Sequence, residues 1–113
     1  MTWTPSKQQL EDAAIAGGIK GQIEESDYDF WFTTDNDWTW QPYLPSDQGK
    51  ADLLDLMLVA GIQWDEENGC IDAWRGWITS APVVITNNDK HAALARAVIE
   101  VAAQGGAKMR GEV

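Results

Sequence analysis

Ile62-Gln63-Trp64-Asp65-Glu66-Glu67-Asn68-Gly69-Cys70-Ile71-Asp72-Ala73-Trp74 is the stretch on which the fold turns. Asn68-Gly69 is a strong hairpin signal, because a type I′ turn needs positive φ at both central residues and this pair tolerates it. The flanks alternate: Ile62, Trp64, Ile71 and Ala73 point one way, and Asp65, Asp72 and Trp74 point the other. The first set reads as core and the second as an outer face. Two registers are open. If Asn68-Gly69 alone is the loop, Asp65 lies opposite Asp72, which like charges disfavour. A four-residue loop from Glu66 to Gly69 sets Asp65 opposite Cys70 and removes the conflict, so this is the expected register.

Working outward, Ser46 and Asp47 offer caps for a helix with an apolar stripe of Leu53, Leu54, Met57 and Leu58, and Gly61 is its left-handed stop. Upstream, Tyr28, Phe30 and Phe32 alternate with Asp29, Trp31 and Thr33. After the turn-like Thr34-Asp35-Asn36-Asp37, Trp38 and Trp40 share a face, so these residues read as a second hairpin that Pro42 and Pro45 end. Downstream, Val83, Val84 and Ile85 form an apolar run that suits a strand buried on both faces, and the link around Trp77 and Ile78 adds a few strand residues. A first helix is expected after Thr4-Pro5-Ser6, with Leu10, Ala13, Ala14 and Gly17 on its narrow face. A last helix starts at Asn87, Asn88 or Asp89, carries Leu94, Ala97, Val98 and Val101 inward, and closes at Gly105-Gly106.

The order is α-β-β-α-β-β-β-α, which predicts an α+β domain: an antiparallel sheet of about five strands with helices packed on it. The order also hints at two similar halves. A chain of 113 residues suits one core, expected over residues 1–106, with 107–113 as a loose tail. Cys70 is the only cysteine, so no internal disulfide framework exists, and no apolar run approaches the length of a membrane helix. With no signal-like N-terminus, the host cytoplasm is the expected compartment.

Eighteen acidic and eight basic residues give a net charge of −10, and the excess is concentrated. From Gly21 to Trp74 there are thirteen acids and one base, Lys50, while the remainder of the chain is close to neutral. Direct binding to a phosphate backbone is disfavoured, since that affinity comes from Lys and Arg. A basic protein surface is the expected partner. The competing reading is that the charge only keeps a small domain soluble.

Catalytic chemistry finds little support. The single histidine, His91, falls in the first turn of a helix and reads as a solvated surface residue. Cys70 reads as a structural thiol, and two Cys or His residues in all are too few for a zinc site. Asp35-Asn36-Asp37 lacks the glycine and glutamate that complete a calcium loop. Asp65, Glu66, Glu67 and Asp72 remain as candidates for a hard cation, against the simpler reading of solvated acids; no cofactor is expected. Seven tryptophans are the other unusual feature. Trp64 is expected in the core with either Trp31 or the Trp38/Trp40 pair, leaving Trp3, Trp74, Trp77 and one hairpin face as surface aromatics suited to anchoring a partner, against the simpler reading of a Trp-rich core with semi-exposed edges. The candidate partner-binding set is therefore Asp35, Asp37, Asp65, Glu66, Glu67, Asp72, Trp74 and Trp77, with a homodimer left open.

Three phrases carry a resemblance. They are the N-terminal Gln-Leu-Glu-Asp-Ala-Ala-Ile-Ala-Gly-Gly-Ile at residues 9–19, Trp40-Gln41-Pro42-Tyr43-Leu44-Pro45-Ser46-Asp47 ahead of the Leu-rich helix that ends Val59-Ala60-Gly61-Ile62, and the helix 91–103, His-Ala-Ala-Leu-Ala-Arg-Ala-Val-Ile-Glu-Val-Ala-Ala. In layout the chain resembles small bacteriophage and prophage proteins of the phage ABA sandwich type. That resemblance implies an α+β sandwich encoded by a mobile element and transfers no catalytic residue. The function expected from all this is an accessory protein that binds a host or phage protein, in one version inhibiting a nucleic-acid-handling or defence complex by presenting carboxylates where phosphates dock. The alternatives are a metal-dependent hydrolase or nuclease using the Asp65, Glu66, Glu67 and Asp72 cluster, and a structural or assembly protein.

Overall fold

A computed structural model describes residues 3–111 and shows an α+β fold with three helices and two antiparallel sheets. Helix α1 (Lys7–Ala16) is followed by β1 (Gly21–Glu25), β2 (Phe30–Thr34) and β3 (Thr39–Trp40), which form one sheet in that order. Helix α2 (Asp47–Ala60) is followed by β4 (Gln63–Glu67), β5 (Cys70–Arg75), β6 (Ile78–Thr79) and β7 (Val83–Val84), which form the other, and α3 (Lys90–Met109) completes the fold. In the second sheet β5 is central, with β4 on one side and β6 and β7 sharing the other. The two halves are visible in this order. Each is a helix, a left-handed glycine (Gly18 and Gly61, both φ 69°), an isoleucine, and a run of antiparallel strands.

The expected single sheet is thus divided, and it has more and shorter strands. Strand β1 is additional to the expected hairpin, and its Gln22, Glu24 and Glu25 carry no apolar alternation that would mark a strand. It forms by pairing with β2, and on its outward side Glu24 accepts from Trp31 Nε1 at 3.2 Å and from the Thr33 hydroxyl. Val83 and Val84 were expected to be buried on both faces. Only Val83 is buried, while Val84 is 63% exposed, because helix covers one face of this sheet.

Ser6 caps α1 in a reciprocal box with Gln9, so Pro5 lies before the cap rather than at the first helical position. Ser46 caps α2 by accepting from Gly49 N–H. The inward face of α2 is Leu53, Leu56 and Ala60; Leu54 and Leu58, expected in its stripe, face solvent. Asp52, like Gly49, is buried on the same helix. Its carboxylate accepts from Gln41 N–H at 2.9 Å and from Gln48 Nε2 at 2.8 Å, tying the chain after β3 to the helix. Burial outweighs these donors and holds its pKa above the usual carboxylate value.

Helix α3 is the centre of the molecule, with Ala95, Ala97, Val98, Ile99, Val101, Ala102 and Ala103 all buried. It packs on α1 along one side and on β5, β6 and β7 along another. Gly105-Gly106 does not end it. A methyl at Gly106 would lie 1.7 Å from the Asp12 carbonyl oxygen, so this glycine lets α3 and α1 cross closely. Gly105 faces Arg75 and Ile78 in the sheet. The expected loose tail is corrected as well: the helix continues to Met109, and Arg110 grips buried Asp12, with Nε 2.9 Å from Oδ1 and Nη2 3.3 Å from Oδ2. Residues 112 and 113 of that tail lie outside the described residues.

Candidate protein-docking surface

The hairpin closes on a two-residue loop. Asn68 (φ 53°) and Gly69 (φ 75°) take the conformation of a type I′ turn, Glu67 pairs with Cys70, and Asp65 faces Asp72. The four-residue loop expected from charge is therefore wrong; the turn chemistry of Asn-Gly outweighs the repulsion between exposed Asp65 and half-buried Asp72. Asp65 accommodates the register by accepting from the Glu66 N–H at 2.8 Å, which holds its carboxylate along its own strand.

Alternation then sorts the second sheet. Ile71, Ala73 and Val83 face α3 and are buried. The outer face carries Gln63, Asp65 and Glu67 from β4, Cys70, Asp72 and Trp74 from β5, Thr79 opposite Trp74, and Val84 opposite Cys70. Trp74 lies along this face with Nε1 donating to Gln63 Oε1 at 3.1 Å. At the tight connection between β5 and β6, Trp77 is fully exposed. Asp65, Glu67, Asp72 and Trp74 are thus brought together on one side of one sheet, with Trp77 in the turn at the end of β5.

Three other expected residues are not. Asp35 and Asp37 sit in the β2–β3 connection of the first sheet, which shares no strand pairing with the second. Glu66 points to the opposite face from Asp65 and Glu67, and Lys90 at the start of α3 pairs with it at 3.1 Å. The division also bears on the proposed metal cluster, because Glu66 is turned away from the other three carboxylates. Among the described residues, no group of three or more His, Cys, Asp or Glu side chains is placed to hold a metal ion.

Trp64 was assigned to the core and is instead 44% exposed. It shares the inner face with Ala73, but α3 lies under β5, β6 and β7, and β4 extends past it. Buried tryptophan comes from the other sheet, where Trp40 meets Phe32 edge-on with centroids 5.7 Å apart. His91 also departs from expectation. Its Nε2 is buried and, among the described residues, has no hydrogen-bond partner. Desolvation, reinforced by the Lys50 charge, lowers its pKa, and Asp89 opposes this only in part.

Sequence reasoning missed the cleft between β7 and the first turns of α3, about 460 Å³, lined by Trp3, Val83, Thr86, Asn87 and Arg96. Here Arg96 lies over the Trp3 ring at 5.6 Å and pairs with Glu100 at 3.1 Å. No local signal joins residues so far apart in the chain.

No helix among the described residues is long and apolar enough to cross a membrane. Comparison with protein-family models, with curated proteins and with solved structures finds no match to this chain.

Proposed function

We propose that this chain acts by binding, and that the outer face of the second sheet docks a basic surface of a host or phage protein. One observation carries the reading. Asp65, Glu67 and Asp72 share an open face with Trp74 and border the fully exposed Trp77, and among the described residues none of the three carboxylates has a salt bridge. Aromatic anchors supply contact energy at an interface, while uncompensated charge steers the partner and fixes its orientation. A face of this kind suits a protein that normally grips a phosphate backbone. The biological version of the proposal is a phage or prophage accessory protein that inhibits a nucleic-acid-handling or defence complex by occupying its basic groove.

The test is capture from host lysate by the wild-type chain, a Trp74→Ala/Trp77→Ala variant and an Asp35→Asn/Asp37→Asn variant. The expected partner is retained by the wild type and the Asp35/Asp37 variant and lost by the tryptophan variant. It is also released between about 0.05 M and about 0.5 M salt as screening shortens the reach of the acidic field. A partner indifferent both to salt and to the two tryptophans would refute the proposal.

A further inference from the structure

We infer that β4 is a site of strand addition, at which the basic partner contributes an extended segment that hydrogen-bonds to the free edge of the second sheet. The inference rests on the docking proposal above and adds the mode of recognition. β4 is an edge strand of five regularly paired residues, with no proline and no lysine along it. Such an edge is a template for another strand unless it is covered, bent away or charged. The protection here is charge alone.

The phase of the ladder shows which groups are on offer. A two-residue loop makes Glu67–Cys70 the closing hydrogen-bonded pair, so Asp65 and Gln63 bond inward to β5 and the amides of Trp64 and Glu66 point outward. Consistent with this, Ala73, the partner of Trp64, directs its own N–H and C=O away from β4, to Ser80 Oγ at 3.0 Å and Ser80 N at 2.9 Å. The Glu66 N–H is occupied by the Asp65 carboxylate, a side-chain acceptor that rotates aside when a backbone carbonyl takes its place. No turn, cap or side-chain hydrogen bond engages the Trp64 amide among the described residues.

Side chains on both faces of β4 select the occupant. Trp64, 44% exposed on the inner side, extends the apolar surface past the last strand, where an apolar residue of an added strand would cover it. Asp65 and Glu67 on the outer side call for Lys or Arg at the alternate positions. A second copy of this chain is a poor occupant, because pairing β4 with itself sets acids beside acids. The segment that fits is an extended peptide alternating basic and apolar residues.

The experiment compares two short peptides of equal length and charge, one alternating lysine with valine and the other alternating lysine with proline, binding to the full chain. Amide hydrogen exchange is followed residue by residue. The lysine–valine peptide is expected to bind at least about tenfold more tightly and to slow exchange at the Trp64 amide by about tenfold or more. Glu66→Pro, which removes no β4–β5 hydrogen bond, is expected to abolish that preference while Glu66→Ala keeps it. Equal binding of both peptides without protection at Trp64 would overturn strand addition and leave electrostatic docking standing. Failure of both peptides to bind at low salt would overturn the two together.

Discussion

Asp65 and Asp72 lie directly opposite each other in the β4–β5 ladder, and no salt bridge reaches either among the described residues. Two like charges at opposed positions cost stability, and the Asn68-Gly69 turn imposes that cost by setting the register. Under the docking proposal, a cationic partner would relieve this repulsion on binding.

Asp72→Lys turns the opposed pair into an attractive one. It is expected to raise unfolding free energy by about 0.5–1 kcal/mol at low salt, with the gain shrinking as salt is added. The same change should weaken capture of a basic partner. Denaturant titrations at two ionic strengths beside the capture assay check both halves, and a variant that is stabilised yet binds unchanged removes Asp72 from the docking face.

Gly105 and Gly106 are adjacent and face different neighbours, so alanine at each should act differently. At Gly106 the new methyl would meet the Asp12 backbone at 1.7 Å, which helix α1 relieves only by moving; a loss of roughly 2 kcal/mol or more is expected. At Gly105 the nearest atom is the flexible tip of Arg75 at 3.3 Å, and the better helix propensity of alanine contributes up to about 1 kcal/mol in the opposite direction. Thermal unfolding of the two variants decides the matter, and equal effects would mean that the helices cross elsewhere.

Those glycines also show where the sequence is readable and where it is not. Locally encoded features were legible: the Ser46 cap and Gly61 stop of α2, the inward Leu10 and Ala13 of α1, and the α+β class itself. Long-range packing was not. Gly105-Gly106 carries the same local signal as a helix stop, and only the approach of α1, some ninety residues earlier in the chain, makes it a contact point. Trp64 fits the alternation of a core residue, but whether a helix lies beneath it depends on the lateral position of α3. At the candidate site, the face shared by Asp65, Asp72 and Trp74 followed from alternation; the separation of Asp35 and Asp37 required the division into two sheets.

The Asp12–Arg110 pair joins the end of the described chain to α1. Asp12 is 5% exposed, and removing its partner leaves a buried carboxylate that, among the described residues, keeps the Gln8 Nε2 donor at 3.0 Å. Arg110→Ala is expected to cost about 1–3 kcal/mol, a range set below that of a fully buried pair because the arginine is partly solvated. Truncation after Met109 should cost about the same, since it removes the same guanidinium. Denaturant unfolding of both proteins checks this, and a fully stable truncation would show that Asp12 finds another donor.

His91 is expected to give the fold a pH dependence below about pH 6.5. Its folded pKa is depressed by burial and by Lys50, below the 6.5 of the free side chain, so the unfolded chain binds the proton more readily than the folded one. Stability from this group is therefore complete above pH 6.5 and falls as acid carries the pH down through that value towards the folded pKa. Asp52 works in the other sense: its raised pKa favours the protonated folded state, so its contribution grows as pH falls through the folded value towards 3.8. Midpoints of denaturation measured between about pH 7.5 and about pH 5.5 should decline for the wild type and stay nearly level for His91→Gln, which has no proton to take up. Because the imidazole is only partly enclosed, the expected decline is modest, and the comparison between the two proteins carries the test. A parallel decline in both would assign the acid sensitivity to the carboxylates and leave Nε2 of His91 solvated in the folded chain.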